Sequence, residues 1–151
     1  MRIQNISNNQ VNNKTNFKAL KFIKFKDKFK WSPRAQKTLS DTCRYSEPFR
    51  NFCEQFHTYV FFSMFKGDNN LMSPRMNVYY DEIPEKPLTN WQMFKKLAQK
   101  TPCIEIIATA SSTVEEGAEK LAKCIIESEP RFTEEVETSK RIKERRRNNN
   151  K

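Results

Sequence analysis

Residues 46–67 read SEPFRNFCEQFHTYVFFSMFKG, and the way this run folds decides the architecture of the chain. Ser46-Glu47-Pro48 has the chemistry of a helix start: a hydroxyl to cap free N–H groups, then an acid and a proline in the first turn. Phe49, Phe52, Cys53, Phe56 and Val60 recur at helical spacing and form a broad apolar face. Gly67 supplies a stop, so the pattern predicts one helix over 47–66. His57 falls off that stripe with no partner at ligand spacing, and reads as a surface or hydrogen-bonded side chain.

Outward from this run, Ser32-Pro33 reads as a break, and 35–43 as a first core strand. On the other side, 76–80 is short and rich in β-formers, and Pro84 and Pro87 mark a turn. Residues 90–99 fit two patterns: Trp91, Phe94, Leu97 and Ala98 suit a helix, while Trp91, Met93 and Leu97 partly suit a strand. Residues 103–108 are apolar except for Glu105 and read as a strand. Ser112 with Glu115, or Thr113 with Glu116, makes a capping box. Val114, Ala118, Leu121 and Ile125 then share a helical face that ends before Pro130.

The tail from Thr133 is acidic first (Glu134, Glu135, Glu137) and basic last, an order that suits a helix dipole. Lacking an apolar stripe, it is expected to be helical only when docked. The predicted fold is α/β: a strand–helix–strand unit paired in parallel by a right-handed crossover, then a hairpin and a final helix. That is a thioredoxin-like two-layer sheet, β-α-β-β-β-α, with extended basic N- and C-terminal arms. The segments are 1–18, disordered or targeting; 19–34, a basic extended arm; 35–130, the thioredoxin-like domain; and 131–151, the charged tail.

Composition narrows the function. In 151 residues there are two glycines, Gly67 and Gly117, too few for a glycine-rich phosphate cradle. One histidine excludes the usual multi-His metal sites, so no metal and no cofactor are expected. No apolar run approaches the roughly 20 residues that span a bilayer, so no membrane insertion is expected.

The net charge of +10 is unevenly placed: +9 over residues 1–40, −3 over 41–130 and +4 over 131–151. A near-neutral body with cationic ends suits a polyanion better than a small acidic substrate. The competing reading is of merely solvated tails. Cys43, Cys53, Cys103 and Cys124 include no C-x-x-C pair, which argues against a zinc ribbon or redox dithiol. Four reduced, semi-buried thiols in a reducing compartment fit the spacing. No histidine or second thiol stands beside Cys43 or Cys53 in the pattern, so neither is a candidate nucleophile and no catalytic residue is assigned.

The stretch LKFIKFKDKFKW, residues 20–31, alternates Ile23, Phe25, Phe29 and Trp31 with Lys24, Lys26, Lys28 and Lys30. Period two puts ammonium groups on one side and rings on the other. This is an edge strand guarded by lysines, a cationic ribbon laid along phosphates, or both. Lys21, Arg34 and Lys37 extend the patch. The predicted RNA-binding set is therefore Lys21, Lys24, Lys26, Lys28, Lys30, Trp31, Arg34 and Lys37, with Lys140, Arg141, Lys143, Arg145, Arg146 and Arg147 at the other end.

Tyr45-Ser46-Glu47-Pro48-Phe49-Arg50-Asn51-Phe52 resembles the start of the first helix in the thioredoxin-like proteins shared by mitochondrial ribosomes and respiratory complex I. Ala19-Leu20-Lys21-Phe22 and the lysines after it are similar to the N-terminal stretch of the small-subunit ribosomal member. The proline-bearing turn, Trp91–Phe94, 103–108 and the 114–126 helix follow that member's order, so the resemblance spans about residues 19–126. The chain departs from the family in having no glycines before the first helix and Gln99-Lys100-Thr101 at the hairpin turn.

The resemblance implies a hairpin arm at 90–97 and no catalysis, and it adds Arg50, which matches the family arginine, to the predicted RNA-binding set. It implies a structural constituent of the mitochondrial ribosome, of the small subunit by preference. Its partners would be ribosomal RNA and neighbouring mitochondrial ribosomal proteins, and its place the mitochondrial matrix. The acid-free N-terminus resembles an import segment. The alternative within the same family is an accessory structural subunit of respiratory complex I, held by protein contacts.

Overall fold

The computed structural model describes residues 21–22, 30–66, 71–82, 89, 91–92, 95 and 102–150. In chain order these form β1 (Lys21–Phe22), α1 (Pro33–Tyr45), α2 (Glu47–Gln55), β2 (Phe56–Lys66), β3 (Met72–Glu82), β4 (Cys103–Ile107), α3 (Val114–Glu127) and α4 (Glu129–Asn149). β2, β3 and β4 form an antiparallel sheet, and β1 adds to β2 in parallel, in the order β1-β2-β3-β4. The fold is mixed α/β, as the pattern predicted. The segment 1–18, the turn at Pro84–Pro87 and the turn at 99–101 lie outside the described residues.

Two elements differ from the prediction, each for a visible reason. Residues 35–43 are not a strand but most of α1. Ser32 is the N-cap: its Oγ accepts a hydrogen bond from the Ala35 N–H at 3.2 Å, and Pro33 sits in the first turn. The Ser-Pro pair read as a break is thus a start signal, and Ala35, Leu39 and Cys43, four apart, bury one face of the helix. The predicted helix over 47–66 is helical only to Gln55 and becomes β2 at Phe56. Positions 56, 60 and 64 are four apart and therefore fit both a helical face and every second position of a strand. The β-branched and aromatic run after His57 decides for the strand.

A third expectation, the hairpin arm at 90–97, meets helical backbone at Trp91, Gln92 and Lys95. Thr89 and Gln92 cap that turn reciprocally, the Thr89 N–H donating to Gln92 Oε1 at 2.9 Å and the Gln92 N–H to Thr89 Oγ1 at 3.2 Å.

The core lies between the helices and one side of the sheet. Phe56, Val60, Phe62 and Met64 of β2, Met72, Met76 and Val78 of β3, and Ile104 and Ile106 of β4 all bury their side chains in it. α1 packs on α3 and α2 on α4. Gly117 of α3 lets the helix approach Pro74 of β3 closely, since a Cβ there would stand 3.3 Å from the proline ring. The α3 start follows the second of the two predicted boxes: Thr113 Oγ1 accepts from the Glu116 N–H at 3.2 Å.

Ser46, buried, joins three elements. Its N–H closes α1 on the Thr42 carbonyl at 3.1 Å, and its Oγ accepts from the Phe49 N–H at 3.4 Å as the cap of α2. The same hydroxyl donates to Glu129 Oε2 of α4 at 3.0 Å.

The core also reaches into both segments expected to be arms. Phe22 stacks on Phe62 with centroids 4.8 Å apart, and Trp31 meets the same ring edge to face at 6.3 Å. At the other end, Phe132 and Val136 of α4 are buried, so the tail does carry a short apolar anchor. Tyr80 Oη donates to Glu135 Oε2 at 3.1 Å and ties the same helix to β3.

All four cysteines are free thiols: Cys43 and Cys53 are buried, Cys124 is half-buried and Cys103 is exposed. Burial pushes the Cys43 thiol well up and that of Cys53 up to about 12, and buried, protonated thiols are poor nucleophiles. A thiol reagent is expected to label Cys103 first, Cys124 more slowly, and Cys43 and Cys53 only on unfolding, which timed labelling with mass spectrometry reads directly.

The same groups set an alkaline limit. Desolvation, then the hydrogen bond to Glu135, pushes Tyr80 up to about 12. An unfolded thiol titrates near 8.5 and a tyrosine near 10. Stability held by the neutral forms is therefore complete below about pH 8.5 and lost as pH rises from there towards 12. Melts between pH 8 and 11 are expected to show a steadily falling midpoint.

Candidate nucleic-acid interface

The strongest cationic feature is the C-terminal half of α4. From residue 140 to 147 six of eight side chains are Lys or Arg, namely Lys140, Arg141, Lys143, Arg145, Arg146 and Arg147, with Glu144 the single acid. Every residue from 140 to 150 is exposed. At 1.5 Å per residue the 21 residues of α4 measure roughly 31 Å. The first two turns are held by Phe132 and Val136, and the basic end projects beyond them. Its cations lie all around the helix rather than on one stripe, because the seven charged positions from 140 to 147 fall in two consecutive turns. The helix carbonyls at this end are themselves electronegative and favour the cations.

Few local partners neutralise this end. Arg146 Nη1 lies 3.4 Å from Glu82 Oε1 at the end of β3, with both side chains largely exposed, and Arg141 Nη2 donates to Thr138 Oγ1 at 3.5 Å. An exposed ion pair of this kind contributes about 0–1 kcal/mol and exchanges readily for phosphate.

The N-terminal cations are only partly within view. Lys24, Lys26 and Lys28 lie outside the described residues, as do Phe25 and Phe29. Lys21 sits in β1, in register with Phe61 of β2. Lys30 and Arg34 are exposed where the chain enters α1. Lys37 is exposed and paired with Asp41 at 2.8 Å; the hydrogen bond and charge of that carboxylate hold its ammonium above the usual lysine range. Arg50 is half-buried on α2. The two clusters stand towards opposite ends of β2. Arg146 touches Glu82, which pairs with Phe56, whereas Trp31 packs on Phe62, and six strand residues separate these points by about 20 Å.

Trp31 is the residue the sequence reading misplaced. Expected to stack on bases, it is 6% exposed and lies in the core between Phe22 and Phe62. Its Nε1 is buried with no hydrogen-bond partner among the described residues. Trp31→Phe keeps a ring in place and removes that orphan donor, so denaturant melts are expected to shift by less than about 1 kcal/mol. RNA affinity is expected to stay unchanged; a sharp loss with the fold intact would return Trp31 to the interface.

The odd-numbered side of the sheet was absent from the sequence reading. His57, Tyr59 and Phe61 of β2 and Tyr79 of β3 lie opposite the core side, with Phe61–Tyr79 centroids 5.8 Å apart. The signal was the alternation in FHTYVFF, hidden once those residues were assigned to a helix. Among the described residues no three His, Cys, Asp or Glu side chains cluster as metal ligands would, and no helix is long and apolar enough to cross a membrane.

No protein-family model, curated protein or solved structure matches the chain.

Proposed function

We propose that this protein is a structural constituent of the mitochondrial ribosome, with the small subunit favoured, and that it holds ribosomal RNA through its cationic ends. The observation that carries the reading is the exposed basic end of α4, six cations in eight residues on a helix anchored at its other end by buried Phe132 and Val136. The mechanism is phosphate neutralisation with release of condensed counterions, a term that does not depend on base sequence. Arg145, Arg146 and Arg147 present forked donors matched to phosphate oxygens, and Lys30 and Arg34 supply point and forked charge at the other end of the body.

The near-neutral body, −3 over residues 41–130, suits contact with neighbouring mitochondrial ribosomal proteins. The thioredoxin-like topology belongs to the same proposal. It is supported by the parallel β1–β2 pairing across an intervening helical segment and by the Tyr45–Phe52 resemblance. Localisation in the matrix follows from the assembly proposed.

Sedimentation of the endogenous protein tests the reading. It is expected to travel with ribosomal particles and to be released by nuclease. Sedimentation with a membrane complex that contains no RNA would favour the complex I subunit instead and overturn the proposal.

A further inference from the structure

β4 stands last in the strand order, so only one of its two sides meets another strand. Two hydrogen bonds fix which backbone groups face which way. The Ala108 N–H donates to the Pro74 carbonyl at 3.0 Å, and the Tyr80 N–H to the Pro102 carbonyl at 3.1 Å. With the register of β3 and β4, this assigns the even-numbered residues from 102 to 108 to the bonds with β3. In an antiparallel ladder the residues between them turn N–H and C=O away from the paired strand. Cys103, Glu105 and Ile107 therefore offer their backbone donors and acceptors along the outer edge, over about 13 Å. No backbone bond from another described segment reaches them.

The side chains of this row are available as well. Cys103, Glu105 and Ile107 are all exposed, Ile107 at 48%, whereas Ile104 and Ile106 between them are buried in the core. The acid at the centre of the row is not neutralised. Glu105 accepts from Asn77 Nδ2 at 3.1 Å and pairs with no cation among the described residues. The Arg75 guanidinium lies 4.1 Å over the Phe65 ring of β2, on the far side of β3 from β4.

We propose that β4 takes up an extended segment of another protein as a further antiparallel strand, with a lysine or arginine opposite Glu105 and apolar residues opposite Cys103 and Ile107. A row of unpaired amides is matched by a second extended backbone, and the alternate side chains select which one. Across two strands an opposite charge is favourable and a like charge is not. A second copy of this chain is therefore the wrong occupant: full overlap of two β4 strands about a twofold axis sets Glu105 against its own counterpart. Sliding the copies to part the acids gives up one of the three pairs of bonded residues. The inference goes beyond the RNA reading, since it concerns a protein contact on the sheet and holds in either assembly.

The test is a titration of the full chain, followed amide by amide by NMR, with a synthetic peptide acetylated and amidated at its ends. The peptide alternates threonine with valine, lysine and valine, so that the lysine is central. The amides of Cys103, Glu105 and Ile107 are expected to shift, and their exchange with solvent to slow about twofold at half-saturation, while those of Ile104 and Ile106 stay as they are. N-methylation of the peptide's lysine amide is expected to abolish the effect, and N-methylation of a neighbouring threonine, whose N–H points away, to leave it. Glutamate in place of the peptide's lysine is expected to weaken binding about threefold or more, and Glu105→Lys in the chain to reverse that preference.

No shift at millimolar peptide, shifts centred away from β4, or a preference that Glu105→Lys leaves unreversed overturns the proposal. Protection of the three amides in the free chain that rises with its concentration would give the edge to a second copy and overturn it too. None of these outcomes bears on whether α4 holds RNA.

Discussion

Phe132→Ala is expected to destabilise the protein by about 3–5 kcal/mol, a large share of the stability of a domain this size. The ring is fully buried and meets Phe49 at 5.1 Å and Phe52 at 5.2 Å, edge to face in both cases. Phe52 in turn contacts Phe56 and Tyr80, so one truncation opens a cavity shared by α2, α4 and the β2–β3 pair. The loss has two parts, the apolar area returned to water and the void left behind. Urea unfolding gives the magnitude, and limited proteolysis under native conditions is expected to cut within residues 133–147 first. A cost below 1 kcal/mol would mean that α4 is a tail and not part of the body.

Replacing Lys140, Arg141, Lys143, Arg145, Arg146 and Arg147 with glutamine is expected to remove most of the salt sensitivity of RNA binding. If about six phosphates are neutralised, the unmodified chain should show a slope of roughly −4 to −5 in log affinity against log salt. That corresponds to a loss of roughly 250- to 1,000-fold between 50 and 200 mM. The variant slope is expected to fall to half or less, with unchanged thermal stability, because these side chains are exposed and bury nothing. Glutamine has nearly the helix propensity of the residues it replaces, so α4 should persist. A slope that is shallow in the unmodified chain, or unaltered in the variant, would remove α4 from the interface.

The sequence displayed some of this plainly and hid the rest for identifiable reasons. The α3 face and its cap were legible because Val114, Ala118, Leu121 and Ile125 fit one period only and Thr113-x-x-Glu116 fixes the start. The strand at 103–107 was legible from a short apolar run interrupted by Glu105. α1 was hidden because Ser32-Pro33 serves equally as a stop and as a cap, and only the neighbouring elements decide between them.

β2 was hidden by arithmetic: four-residue spacing satisfies period two as well as period 3.6. The charged part of the site was visible because exposed charge is a property of composition. The placement of the rings was not, because whether Trp31 or Tyr79 lies in the core depends on which side of the sheet each occupies. A lysine-rich alternation around Trp31 looks the same whether its rings meet bases or, as with Phe22 and Phe62, each other.

A floppy basic tail would have to be immobilised whenever it bound, at a cost of about 1–2 kcal/mol per residue for the backbone alone. In this chain the bases of 140–147 extend a helix already fastened by Phe132, Val136 and the Tyr80–Glu135 link. Their positions relative to the sheet are thus set during folding, before any encounter. Recognition then resembles seating a pre-formed peg: lengthening or shortening it by one residue would turn every charge beyond that point by about 100° without altering the composition at all.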